Sequence, residues 1–342
     1  MIIQYKCPNC GDDMEFDSET GTLSCHSCGR KENIEEFSED LITATFSEDE
    51  ANEYHCENCG AILITEAETT ATTCSFCGAA VVIGDRLSGM LAPAKVIPFT
   101  ISKDEAKKAF QTWCKNGLLT PKGFMTADRI KGITGMYVPF WLYDLNSKVK
   151  VDAQGTKVRT YTRGDYIYTE TKYFDVYRDI NLDYVKVPVD ASEKMNDEIM
   201  DKLEPYHYDQ LKPFKTPYLA GYIAEKYNYT DADLLPRAKT KIQNFIETYI
   251  SSTISGYSSV SYKHKQINTK KKNASYVLLP VWMVYYDFDK TEHTFAMNGQ
   301  TGKVIGKPPI SYSKVALWFS GIAGTSFITL KLISLIMGGG FW

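Results

Sequence analysis

Eight cysteines in four tight pairs constrain this chain more than any other feature. Cys7-x2-Cys10 is followed after 14 residues by Cys25-x2-Cys28, and Cys56-x2-Cys59 is followed after the same interval by Cys74-x2-Cys77. The second set is the first displaced by 49 positions, an internal repeat. Two residues between thiolates let one short turn aim both sulfurs at one tetrahedral ion at ~2.3 Å, and a second turn closes the shell. Each pair runs into a glycine (Gly11, Gly29, Gly60, Gly78), the residue that takes positive φ where a chain turns away. Segments between pairs, such as 61–65, read as short strands. The spacing therefore predicts two zinc ribbons, one Zn²⁺ on Cys7, Cys10, Cys25 and Cys28 and a second on Cys56, Cys59, Cys74 and Cys77. Four thiolates leave no open position for water, so both ions are expected to be structural. Disulfides or an iron centre are the lesser alternatives. His26 and His55 flank knuckles whose ligand count is already complete, and are expected at the surface.

Tight pairing, together with an N-terminal MIIQYKCPNC that has no apolar signal run, points to a reducing, cytoplasmic compartment for this head. The ninth cysteine, Cys114, shares a helical pattern with Phe110 and Trp113 and is expected to be a buried small hydrophobe. Charge is distributed unevenly. Residues 1–84 carry 17 Asp/Glu against 3 Lys/Arg, a balance of −14, and the rest of the chain carries +10. Phosphate contacts need Lys and Arg, and the head offers only Lys6, Arg30 and Lys31. A nucleic-acid partner is therefore not expected of it, and a protein-docking role is.

Beyond Gly84 the composition changes. Ser102-Lys103-Asp104-Glu105 is a capping box opening an amphipathic helix with Ala106, Phe110 and Trp113 on one face. An aromatic strand with Pro139 and Trp141 follows, then 151–158 as strand and turn. The order recurs about 141 residues later. There a helix through Leu235, Ala238, Ile242, Phe245 and Tyr249 leads to a strand with Pro280 and Trp282. A hairpin over 295–304 follows, turning at Asn298-Gly299 or Thr301-Gly302. The body thus reads as a duplicated α+β module. Tyr137, Tyr143, Tyr166, Tyr168 and Tyr173 alternate as on strands and are expected in the core. Lys263, Lys265, Lys270, Lys271 and Lys272 read as a solvated loop or, alternatively, as a contact with an anionic membrane surface, worth ~1 kcal/mol per base. His207, His264 and His293 are scattered and suggest no nucleophile–base arrangement. Gly299 to Lys303 lacks the glycine spacing and the hydroxyl of a phosphate loop. No enzyme is expected.

Residues 315–337 are almost wholly apolar, and 23 residues of helix span ~34 Å, enough for a bilayer core. Lys331 is the exception, placed either to snorkel to the far interface, seven residues before Gly338, or to pair with a partner helix. Lys303, Lys307 and Lys314 precede the segment and no base follows it, which places the body in the cytoplasm of a single-pass cell-membrane protein. Ala316, Ser320 and Gly324 recur every four residues, a spacing that permits close helix approach and self-association.

The fold expected is α+β, as zinc ribbons at 1–36 and 54–84 joined by an acidic linker at 37–53. Modules at 85–190 and 230–313 follow, with a helical connector at 191–229 and a membrane helix at 315–337. On the CPNCG-type pairs, on LEPYHYDQLKPFKTPYLAGYIAEKY (203–227) and on FAMNGQTGKVIGKPPIS (295–311), the chain resembles the bacterial membrane-associated double zinc-ribbon proteins. Those proteins are often labelled primosomal-helicase-like or transcription-factor-B-type ribbons. The likeness is to members encoded beside a phage-shock-protein-A homologue and a flotillin-like (SPFH) protein. It implies a membrane platform that recruits those partners in envelope stress, and no catalytic residue. The helicase label would need a nucleotide-binding loop, which the sequence lacks. The function expected is a membrane-anchored adaptor, the alternative a nucleic-acid-binding or transcription-associated ribbon protein.

Overall fold

A computed structural model describes residues 2–36, 53–56, 62–64, 69–74, 79–83, 93–116, 119–121, 132–288, 291–306 and 310–336. The acidic linker apart from its last residue, Cys59, Cys77, Gly60, Gly78 and Lys307 lie outside these residues.

The first ribbon is built on β1 (Ile2–Ile3), the hairpin of β2 (Met14–Asp17) with β3 (Thr22–Cys25), and β4 (Lys31–Glu32) beside β3. The hairpin turns at Gly21, at φ +68°, where a side chain would be strained. The second cysteine set begins with β5 (Glu53–His55) paired to β6 (Ile62–Ile64), and continues with β7 (Thr69–Thr73) paired to β8 (Ala80–Ile83). All four residues of β8 are buried. A strand buried on both faces needs neighbours, and β8 has them. Its outer edge takes β1, while β7 pairs with β13 (Ile223–Glu225) of the body. Within the expected second ribbon at 54–84, the later hairpin is thus part of the main sheet.

That sheet, of 11 strands among the described residues, is organised by three very long ones. β9 (Lys95–Val96) and α1 (Lys103–Asn116) precede β10 (Thr134–Arg163) and β11 (Tyr166–Asp190). After α2 (Asp197–Leu203), β12 (Lys212–Pro213) and β13 come α3 (Asp231–Thr253) and β14 (Ser259–Phe288). β15 (Thr291–Asn298), β16 (Val304–Ile305) and α4 (Tyr312–Ile336) complete the order. β10 lies between β11 and β14, antiparallel to both. A strand of 30 residues has ~100 Å of contour, several times the usual length. Its first third belongs to a body with both faces covered; the rest forms an arm.

Alternation along β10 divides the molecule. In the body, Val138, Phe140 and Leu142 face Met200 and Leu203 of α2. Tyr137 faces the other way, toward Phe110 of α1 and the first ribbon. Further out, Leu145, Val149 and Val151 continue that second face and meet Ala238, Ile242, Ile246 and Ile250 of α3. The opposite face of the arm carries residues such as Lys148, Lys150 and Asp152, and is open to solvent, as one side of an antiparallel sheet can be.

Several expectations are corrected here. No turn interrupts 151–158: β10 runs straight through Gly155, where a Cβ would lie 2.5 Å from the Tyr257 ring, and the chain reverses at Gly164 and Asp165. The stripe on α3 uses Ile246 and Ile250, leaving Phe245 and Tyr249 exposed. Tyr137 and Tyr143 are buried, whereas Tyr166, Tyr168 and Tyr173 are exposed, because β10 and β11 outrun the helix that would cover them. The lysine segment is no loop but the outer edge of β14. Charges there block edge-to-edge pairing, and Lys263, Lys265 and Lys272 are held by Asp175, Glu247 and Asp183. The duplicated order of helix, strand and hairpin is present, with Val138 directly opposite Leu279, but the copies are unequal. β10 extends past its Trp while β14 extends before its own, so both extensions join one arm. Asn298 to Lys303 forms the expected turn, closed by Asn298 N–H donating to Lys303 O at 2.9 Å.

A charge cluster around the buried Asp190 ties α2 and α3 to the end of β11. Arg237 Nη2 is 2.7 Å from Asp190 Oδ1, although neither Asp190 oxygen gains a well-aligned hydrogen bond, and Arg237 also pairs with Asp197 and Asp201. Burial pushes the Asp190 carboxyl up to about 6, against the pull of Arg237. A raised carboxyl pKa means that the folded state holds the proton more tightly. Asp190 therefore costs stability as pH rises from ~4 through ~6. In urea melts of the detergent-solubilised chain, Asp190→Asn should gain on the wild type by about 1–3 kcal/mol between pH 4 and 7; a constant difference would refute the assignment.

Candidate metal centre

The first four cysteines converge. Their sulfurs all lie within 4.8 Å of one another, with Cys7 to Cys28 and Cys10 to Cys25 at 3.5 Å. A tetrahedron with Zn–S of ~2.3 Å requires S···S of ~3.8 Å, so the donor set fits a zinc ion with a few tenths of an ångström of adjustment. Each knuckle is shaped by its backbone. Cys7 N–H donates to Asp12 O at 2.7 Å and Cys25 N–H to Arg30 O at 2.9 Å, five residues on in both cases. Gly11 and Gly29 then sit at φ +76° and +73°. These pairs of turns bring Cys10 and Cys28 to the surface while Cys7 and Cys25 stay buried.

The crowding itself calls for a cation. The Asp12 amide favours the Cys10 thiolate, but Cys25, Cys28 and Cys7 together push Cys10 up to about 12. Cys28, helped by the Arg30 amide and by Asn9, is lowered to about 6. Four thiols this close do not all ionise unless a divalent ion shares them. When bound, zinc supplies a crosslink and no open coordination site. His26 is exposed and 3.5 Å from Glu15, as a non-ligand should be.

Of the second set, Cys56 and Cys74 are described. Both are buried and pack together with Ala79 and Val81. Cys74 N–H donates to Ala79 O at 2.8 Å, the same five-residue closure as in the first ribbon. Cys59 and Cys77 lie outside the described residues. Cys114 is buried on α1 as expected. His207, His264 and His293 are not brought together.

What sequence reasoning missed is how the ribbon is attached. Phe16 N–H donates to Ala220 O at 3.0 Å, and the Tyr5 hydroxyl is 2.6 Å from Thr216 Oγ1. The Lys215 ammonium donates to Ile34 O and Glu35 O. Phe16 packs edge-on to Tyr218 at 5.4 Å. Cys7, Cys25 and Leu23 therefore share one core with Tyr218, Tyr222, Tyr137 and Phe110. The signal was present in TPYLAGY, residues 216–222, whose apolar run has no partner within its own segment.

Geometry and ligand set together define a zinc-ribbon protein whose ribbon is fused to an α+β body and whose last described helix is long and apolar enough to cross a membrane. The family model for TFIIB zinc-binding ribbons matches residues 5–46. Over 341 residues the chain is 71% identical to the uncharacterized protein YdjG of Bacillus subtilis (strain 168), covering 100% of each, and it belongs to the same family. No solved structure matches it.

Proposed function

We propose that this chain is a membrane-anchored, non-enzymatic adaptor that holds cytoplasmic partners at the cell membrane. Its partners would be phage-shock-protein-A-like or flotillin-like proteins, acting in envelope stress. The observation that carries this reading is α4. None of its 25 residues is buried against the protein, although most are apolar, and 25 residues of helix reach ~37 Å. An apolar face of that extent needs cover, and a bilayer supplies it on every side. Lys331, with its ammonium 5.9 Å from the Phe327 ring, would reach the nearer headgroups. Cys74, closed on Ala79 as Cys25 is on Arg30, and the buried Cys56 beside it would join Cys59 and Cys77 on a second structural zinc. The name of the matching ribbon model favours a transcription-associated reading, but the head's charge of −14 opposes a phosphate backbone.

A chain ending at residue 310 should move to the soluble fraction. It should carry a co-expressed phage-shock-protein-A-like or flotillin-like partner with it, and that partner should lose its membrane localisation. A partner that stays at the membrane regardless would end the adaptor reading. Salt-dependent DNA retention by the solubilised full chain would favour the transcription reading instead.

A further inference from the structure

Two surfaces at opposite ends of β10 have no role in the reading above. One is the outer end of the arm. Beyond Thr156, paired to Ser259, β10 has only β11 beside it, and no helix covers either face. One face of this ribbon carries Lys157, Arg159, Tyr161 and Arg163 from β10, with Tyr166, Tyr168, Glu170 and Lys172 from β11, so four bases share it with the single acid Glu170, which pairs with Lys172. Tyr161 and Tyr168 stack at 5.6 Å, Arg159 lies 5.9 Å from the Tyr161 ring, and Tyr166 is 71% exposed. A two-stranded ribbon is marginal in water on its own, and exposed tyrosine beside arginine is the composition of interface anchors.

The other surface is a cleft of about 640 Å³ where the first ribbon meets the body. Phe16, Tyr222 and Trp282 form its apolar wall, while Glu15, Asp17, Glu19 and Asp104 line it with acid against Lys103 and His26, with Lys31 and Lys107 reaching Asp17 and Asp104 from outside the lining. Its volume falls in the range that receives a few side chains. Thr134 and Gly135, the first residues of β10, line it too. About 90 Å of the same strand separates them from the tip, so a tip cannot reach its own cleft. α4 offers no rival neighbour for the tip. It begins beside Leu119 and Thr120, just past α1, whose Trp113 packs on Phe295 and Gly306 at the end of the sheet away from the arm.

We propose that the cationic, tyrosine-bearing tip of one copy docks in the acidic, aromatic-walled cleft of a second copy. The contact is heterologous, because the two surfaces differ and face apart, so copies join head to tail rather than closing as a dimer. Complementary charge sets the register, and the Tyr166 and Tyr168 rings gain burial against the cleft wall.

The test uses the full chain in detergent, with p-benzoylphenylalanine placed at Tyr166 and isotopically heavy and light copies mixed. Irradiation should link heavy to light chains, with the crosslink mapping to residues 15–19 or 102–104. A ladder longer than a dimer should form. The double change Arg159→Glu and Arg163→Glu should cut the yield about tenfold or more, since like charges repel at a contact. Adding Glu19→Lys and Asp104→Lys in the same chain should recover it, a result that misfolding would not give. Crosslinks only within single chains, crosslinks at another surface, or transfer of the label to lipid when the chain is in vesicles would each overturn the proposal.

Discussion

Stripping zinc from the first ribbon should loosen the body of this protein, not merely its head. Structural zinc contributes an apparent ~10–16 kcal/mol in ribbon-sized units, more than the whole stability of many domains. Here that contribution is not confined. Cys7 and Cys25 sit in one core with Tyr218, Tyr222 and Tyr137, and β1 extends the main sheet through Ile2 and Ile3 opposite Ile83 and Val82. With a chelator present, hydrogen exchange should rise at 214–225 and at the start of β10 as well as within residues 5–32. Phe16→Ala, which spares every ligand, should reproduce the body effect while retaining zinc, at a cost of ~3–5 kcal/mol. Exchange confined to the ribbon would mean that the shared core contributes little.

The arm should fail separately. Ile246→Ala on α3 removes a fully buried side chain from the stripe that meets Val149, Val151 and Val176, and is expected to cost ~2–5 kcal/mol. Among the described residues, α3 is the only helix on the arm's apolar face. Amides of 145–153 and 176–184 should therefore lose protection together, with those around Val138 and Leu279 unchanged. A uniform loss across the sheet would show instead that arm and body unfold as one unit.

The sequence carried the chemistry of the centre well and its architecture less well. Cys7, Cys10, Cys25 and Cys28 were legible because metal geometry is local: a two-residue gap and a glycine fix a knuckle wherever it sits. The capping box at Ser102 and Glu105, seen with Ser102 N–H donating to Glu105 at 2.8 Å, was legible for the same reason. Strand length was not. Gly155 signals a turn in isolation, and only Tyr257, about a hundred residues away, makes its missing Cβ a packing requirement. The lysines of β14 resemble a loop by composition, since an edge strand and a loop are equally wet. Tyr166, Tyr168 and Tyr173 alternate as buried tyrosines do, and alternation reports a strand without saying whether anything covers it.

Because β10 and β11 both run unbroken from the body to Gly164, the arm behaves as a tether under load. In an antiparallel pair the hydrogen bonds lie across the strand direction. A pull on the tip along the arm is therefore borne by two covalent backbones in tension, not by unzipping of the ladder. Tension arrives at Tyr137, Pro139 and Asp190, within the apolar core and beside Arg237. The arm thus couples a displacement far from the body to the residues that hold α2 and α3 in place.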